Sequence, residues 1–447
     1  MRDEQSMTAE VVELLRTLIR NACVNDGSIG SGHEVRSADA LEAYLAGSGL
    51  AIERYSAAPG RVSLLTRIEG PDRRAPTLLL LGHTDVVPAE SGRWRHDPFA
   101  ADVEDGLVWG RGAIDMLNLT ATMAVACRRL AADGFRPAGT LIFAAVADEE
   151  AAGTHGVAHL LDHHADAIRA DYVITEAGGV PVPSREGPLL PLTVGEKGVS
   201  WRRLTVRGTA GHGALPFGAD NALVTAAVVV QRLAAYRSPA RILDVWRRTV
   251  EALDLHPLIT AALTDPDRVL DAATWLHSPG LARVVHACTH TTLSPNVVRG
   301  GTNVNVIPDR VVIEVDVRTL PGVTAADVDA MLTDALGDLA DRVEISAPDF
   351  GEGSMSPTET PLHDALTRTV TALVPGSRLV PQLAPGATDA RHFRWRGIPA
   401  YGFGLHSARI PYTEYPLMFH GDNERIDVES LRLSCLLWER LARDFLA

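Results

Sequence analysis

LLLLGHTDVVP, residues 78–88, is the stretch on which the reading of this chain turns. Four consecutive leucines show no apolar/polar alternation, the pattern of a strand covered on both faces in an α/β sheet. The run breaks at Gly82 into His83 and Asp85, which delivers an imidazole and a carboxylate to a sheet edge. In α/β folds ligands bind just beyond the carboxyl ends of the strands. Two further apolar runs end the same way. TLIFAAVADEE, residues 140–150, stops in three acids, and DYVITEAG, residues 171–178, carries Glu176. With a helix expected over 116–131, the order strand, helix, strand predicts an α/β domain whose central sheet is flanked by helices.

Working outward, amphipathic helices are expected at 8–20 and 37–48, and strands at 61–68 and 77–82. From about 198 the pattern changes. WRRLTVRGTAGH and DRVVIEVDVRTLPG alternate like half-exposed strands, ADNALVTAAVVVQRLAAY and VTAADVDAMLTDALGDLADR read as helices, and VEISAP closes the set. That content predicts a small α+β unit of ferredoxin-like kind, with extra helical material at 240–285 that includes Trp246 and Trp275. After the loop GEGSMSP at 351–357, the remaining elements fit a return to the first domain. The expected organisation is a catalytic domain in two parts, 1–197 and 351–447, with 198–350 inserted between them.

The chain has 447 residues, enough for two or three domains, and 46% of them are hydrophobic. A formal charge of −14 disfavours nucleic-acid binding, which needs Lys and Arg in excess. No run approaches twenty uninterrupted apolar residues, so no membrane span is expected. The start, MRDEQSMTAEVVELL, is acidic and amphipathic, unlike a secretory signal. Cys23, Cys127, Cys288 and Cys435 are widely spaced with no C-x-x-C pair, as expected of buried thiols in a cytoplasmic protein, although disulfides remain an alternative.

Five side chains suit two divalent ions: His83, Asp115, Glu150, Glu176 and His420, the last in PLMFHGDNE. Imidazole together with carboxylate favours zinc, with cobalt or manganese as substitutes, over calcium, which recruits oxygen donors alone. Asp85, two residues from His83, is placed to hold the second ring nitrogen of His83. Glu149 and Glu150 are adjacent and face different ways, so one can bind metal while the other faces water. Read singly, each residue is equally a solvated loop residue or a helix cap. The repetition at successive strand ends argues for a site.

Four segments, GHTDVVP, WRHDPFAADVEDGLVWGRGAIDM, ADEEAAGTHG and TEAGG, resemble in order and separation the signatures of the dinuclear zinc amidohydrolases and exopeptidases. That family includes glutamate carboxypeptidase, acetylornithine deacetylase, succinyl-diaminopimelate desuccinylase and the aminoacylases. The resemblance runs from about residue 8 to the C-terminus. It implies a zinc-exopeptidase-type catalytic domain with a mixed sheet and an inserted lid or dimerisation domain. It also implies two zinc ions per subunit bridged by Asp115, one completed by His83 and Glu176 and the other by Glu150 and His420. Asp85 would orient His83, and Glu149 would act as general base and then as proton donor. His212, in GTAGHGALP, would hydrogen-bond the oxyanion, in trans if the chain forms the family's homodimer through the inserted domain, in cis if it is a monomer. NVNVIPD, VDVRTLPG and GATDARHF resemble the segments whose Asn305, Arg318 and Arg391 grip a substrate carboxylate; Arg318 could equally pair with Asp316.

Leu117 and Asn118 stand where many members have Lys-Gly, and Gly213 and Ala214 follow His212 where many have Ser. Neither change removes a proposed ligand or the base. The expected activity is hydrolysis of the amide of a small carboxylate-bearing substrate, either an N-acyl amino acid or a dipeptide or the C-terminal residue of a short peptide. Closure of the inserted domain implies hinges near 196–199 and 349–354. A non-catalytic metal or small-molecule binding protein on the same fold is the rival reading.

Overall fold

The computed structural model describes every residue of the chain except Met1, Ile29, His277 and Asp349, so the hinge expected at 349–354 lies partly outside the described residues. Two compact units are present. One comprises Met1–Val194, Ser356–Gln382 and Thr388–Ala447, and the other Gly195–Met355 with Leu383–Ala387.

The first unit is built on a mixed sheet. Its strands run in the order Ile52–Ala58, Arg61–Ile68, Thr140–Val146, Thr77–His83, Tyr172–Thr175, Ala400–Gly402 and Leu189–Glu196, with Arg378–Ala384 also paired to the last. Thr77–His83 sits between two parallel neighbours, in register Leu78 to Leu141 and His83 to Val146 on one side and Leu80 to Ile174 on the other. Leu78, Leu79, Leu80 and Leu81 are all buried, which explains the uninterrupted apolar run. Because the three strands are parallel and in step, residues following each of them emerge at one edge of the sheet.

Helix Leu117–Ala132 packs on this sheet so closely that a Cβ at Gly82 would lie 2.4 Å from Thr120 Oγ1. The hydroxyl of Thr120 donates to the carbonyl of His83 at 2.8 Å, fixing the end of the strand. Helices Arg2–Arg20 and Val428–Phe445 join it in the same unit. All four cysteines are buried and free, as thiols rather than disulfides.

The second unit holds an antiparallel sheet in the order Thr292–Gly300, Arg310–Thr319, Arg202–Arg207, Val343–Ser346, with the short strand Gly198–Val199 against the far end of Arg310–Thr319. Val311, Ile313, Val315 and Val317 are buried on one face, and helices Ala222–Ala235 and Ala325–Leu336 supply buried residues of their own. Four short helices between 244 and 289 form a separate apolar cluster around Trp246, Val250, Val269 and Val285. The strands Thr292–Gly300 and Leu189–Glu196 were not among the sequence expectations; Pro295 and Pro191 within them obscure the strand pattern.

Candidate active site

Glu149 and Glu150 depart from the sequence expectation locally. The strand ends at Val146, and both glutamates lie on a single 3-10 turn, Glu149–Ala151, entered through Asp148 at φ +69° and left through Ala152 at φ +79°. Their divergence therefore comes from a turn and not from strand pleating.

Two clusters form at the sheet edge. His83, Asp115 and Glu176 make one, and Asp115, Glu150 and His420 the other. His83 Nε2 lies 3.4 Å from Asp115 Oδ1 and 3.8 Å from Glu176 Oε2. His420 Nε2 lies 3.3 Å from Asp115 Oδ2 and 3.1 Å from Glu150 Oε2. Two ligands ~2.1 Å from a tetrahedral ion are separated by about 3.4 Å, so each cluster has the spacing of a cation shell. Asp115 offers a different oxygen to each and is the shared member.

Electrostatics favour a cation here. Burial and the neighbouring Asp115 carboxylate push Glu150 and Glu176 each up to about 7. Burial, then Glu176, raises Glu149 well above the usual carboxylate range. Hydrogen bonds to Asp115 and Glu150 raise His420 to about 10, and although burial opposes it, Asp115 and Glu176 hold His83 well above its ordinary value. So many acids in one place retain protons when no metal is bound, and divalent ions would displace those protons. His83 Nε2 and Glu150 Oε1 are buried without completing a hydrogen bond, as donor atoms reserved for metal would be. The residues present fit a pair of zinc ions.

Glu149 lies outside both clusters. Its Oε2 sits 4.0 Å from His83 Nε2, and the residue is 9% exposed, so a carboxyl group outside both ligand sets lies beside the clusters.

Asp85 is used differently from the sequence expectation. His83 Nδ1 contacts the backbone carbonyl of Asp85 at 2.9 Å, whereas the carboxylate is 3.5 Å away. That contact puts the proton on Nδ1 and leaves Nε2 as the lone-pair donor. The Asp85 carboxylate instead accepts the backbone N–H groups of Glu149 at 3.2 Å and Glu150 at 3.1 Å, together with Asn25 Nδ2 at 2.9 Å. It thus fixes the turn that carries both glutamates.

Several supporting residues escaped the sequence reading. Glu424 is fully buried and accepts from the backbone N–H groups of Gly112, Ile114 and Asp115 and from Arg111 Nη1 at 2.9 Å. It ties the turn bearing Asp115 to the turn bearing His420. Asn25 Nδ2 also donates to Asp148 at 3.1 Å, and Arg61 pairs with Glu34 at 2.6 Å and reaches Asp148 at 3.4 Å. Asp389 is buried with neither carboxylate oxygen hydrogen-bonded, and burial raises it to about 7. The one available signal was Glu424 itself, an acid four residues after His420 in a run that also breaks from apolar to polar.

Arg391 donates from Nη2 to the carbonyl of Ala152 at 3.0 Å, beside the glutamate turn of the first unit. His212 and Asn305 belong to the second unit and are neighbours there, on the ribbon pairing Gly211–His212 with Val306–Ile307. Asn305 O accepts the Gly213 N–H at 2.7 Å, and a Cβ at Gly213 would meet the Asn305 backbone at 3.0 Å, which accounts for glycine at this position. His212 is exposed, and its Nδ1 accepts the Ala214 N–H at 3.0 Å, so its proton resides on Nε2. Arg318 pairs with Asp316 at 2.8 Å, which also accepts from Trp201 Nε1 at 3.0 Å. Of the departing residues, Leu117 packs against Gly112 and Asn118 is buried.

Comparison with known proteins agrees with this chemistry. The sequence profile of Peptidase family M20/M25/M40 matches residues 79–444. The N-fatty-acyl-amino acid synthase/hydrolase PM20D1 of Xenopus tropicalis is 27% identical over 386 residues, covering 84% of this chain and 73% of that protein. Aminoacylase-1 of Mus musculus is 27% identical over 383 residues, covering 85% and 82%. Among solved structures, the M20 family metallo-carboxypeptidase Sso-CP2 from Sulfolobus solfataricus superposes with a TM-score of 0.73 at 17% identity, covering 98% of this chain and 99% of that one, a likeness of fold. With the family profile spanning most of the sequence and two cation clusters sharing one aspartate, this chain belongs to Peptidase family M20/M25/M40 and is a zinc-dependent hydrolase of small amide or peptide bonds.

Proposed function

We propose that the substrate is an N-acyl amino acid, cleaved at its amide bond, with removal of one residue from a dipeptide as the second reading. The observation that carries the chemistry is the free Glu149 carboxylate beside two clusters joined through Asp115. The acyl reading draws on the two relatives, an N-fatty-acyl-amino acid synthase/hydrolase and an aminoacylase, each matched over most of its length.

Two zinc ions held by His83, Asp115, Glu150, Glu176 and His420 would supply Lewis acidity and lower the pKa of the attacking water. Glu149 takes the proton from that water and delivers it to the departing nitrogen. Asp85 keeps the glutamate turn in place. His212, protonated on Nε2, donates to the developing oxyanion. Arg391, Arg318 and Asn305 bind the substrate carboxylate, for which guanidinium has the matching planar geometry.

A homodimer through the inserted unit is part of the reading. Leu215, Phe217 and Val304, on the loops flanking His212 and Asn305, are 74%, 102% and 100% exposed, and Leu223 and Val224 are exposed on the following helix. Such apolar exposure is characteristic of an interaction surface, and Thr292–Gly300 is an edge strand beside it in the same unit. Among the described residues no helix is long and apolar enough to cross a membrane. A cytoplasmic location is proposed on the four free thiols.

The test is a panel of N-acyl amino acids and dipeptides, assayed with zinc or cobalt and then with chelator. Release of free amino acid from the acyl substrates, lost on chelation and restored by zinc, is expected. Turnover of dipeptides alone would replace the acyl reading with the second one. Metal uptake without any hydrolysis would leave a binding protein.

A further inference from the structure

HGVAHLLDHH, residues 155–164, places His155, His159 and His163 at intervals of four, with His164 adjoining. Its central part forms helix Val157–His163, in which residues four apart share a face and their Cβ atoms lie about 5–6 Å apart. None of these histidines belongs to the two clusters at the sheet edge.

The rings meet. His159 and His163 have centroids 4.8 Å apart, and His159 and His164 have centroids 5.5 Å apart. Two imidazoles bound to one tetrahedral ion, each nitrogen ~2.0–2.1 Å away, have centroids about 5 Å apart, so both observed spacings lie close to that of a shared cation. The ring nitrogens of the three do not converge on one point in this structure. The rings are tilted by 47° and 61°, and rotation of the exposed His163 and His164 side chains is what would turn their nitrogens inward.

We propose that His159, His163 and His164 form a separate transition-metal site on the first unit, selective for zinc, nickel or copper over magnesium and calcium. Imidazole donors set that preference. His159 is also placed for it: partial burial, and then the nearby His163, His164 and His155, hold its pKa below the ordinary value, which lessens competition by protons for the ring. The ring of Tyr55 lies 4.6 Å from that of His164 and backs it. A bound ion would join the end of helix Val157–His163 to the residue that follows it. The helix begins just after His155, whose N–H donates to Asp148 at 2.8 Å within the network behind the glutamate turn.

The experiment compares the full chain with H159Q/H163Q after dialysis against the same zinc-buffered solution, counting zinc per chain. A loss of one equivalent in the variant, with unchanged far-UV circular dichroism, is expected. Equal counts would overturn the site. The comparison is a difference, so it does not depend on how many ions the catalytic clusters hold. If the variant does not fold, mass-mapped diethyl pyrocarbonate labelling of the wild-type chain decides instead. Protection of His159, His163 and His164 by zinc or nickel, but not by magnesium, supports the proposal, and full labelling of all three under saturating zinc overturns it.

Discussion

His83 and His212 are both imidazoles carried on strands, and their surroundings differ in every respect. His83 is 1% exposed, with Nδ1 on a backbone carbonyl, its own carbonyl held by Thr120 and three acids around Nε2. His212 is exposed, and its ring is fixed by one bond from its own loop. The same contrast separates the units as a whole. Ligands of the first unit are buttressed from behind by Asp85, Asn25 and Glu424, whereas in the second Arg318 pairs with Asp316 and the Asn305 carbonyl accepts the Gly213 N–H. One set is organised before substrate arrives. The other is held by few contacts, and on the proposed mechanism it acts only once substrate is present; pre-organisation of this kind decides how a substitution reads out.

The largest expected effect belongs to the pre-organised side. Glu149→Gln should lower kcat by about 10²–10⁴-fold while zinc content stays constant, because the residue is not a ligand. Unaltered turnover would remove Glu149 from the mechanism. His212→Ala should cost about 10²–10³-fold in kcat, with zinc content and melting temperature unchanged. A drop in melting temperature comparable to that of a buried substitution would erase the contrast between the two histidines. Glu424→Ala tests the buttress: leaving Arg111 and three N–H groups without their acceptor should weaken zinc binding by about 10–100-fold, read by competition with a chromophoric chelator.

The smallest effect concerns His406, a buried imidazole of the first unit whose pKa burial lowers to about 4. Between pH 4 and the unfolded value of about 6.5 the unfolded chain binds the extra proton. Stability is therefore lost as pH falls through that window, by at most ~3 kcal/mol from this group. His406→Gln should show a smaller fall in urea midpoint between pH 7 and pH 4.5 than the wild type does. An equal fall would mean that His406 does not titrate on unfolding.

Much of the first unit was legible because its signals are local. The leucine run at 78–81, broken by His83, states both burial and the position of the sheet edge in a few residues. The same holds for the acids at 148–150, although Asp148 in a left-handed conformation turns the chain out of the strand earlier than apolar patterning indicates. The supports were not legible. Asn25, Arg61 and Glu424 are ordinary polar residues in sequence, and their roles come from bonds to residues far along the chain: Asn25 to partners 60 and 123 positions away, Arg61 to Glu34, 27 positions away, and Glu424 to a turn more than 300 positions away. Gly213 shows the reverse case: a departure from the family pattern visible in sequence finds its physical reason only in the close passage of the Asn305 backbone.

The Glu424 clamp has a consequence for biosynthesis. The acceptor that holds the Asp115 turn, and the imidazole of His420 beside it, are translated some three hundred residues after that turn. A nascent chain will have produced the whole of Gly195–Met355 by then, and units generally fold as they emerge. The inserted unit can therefore mature on the ribosome while the catalytic half waits, and loading of the dinuclear centre becomes a step that must await the synthesis of His420 and Glu424.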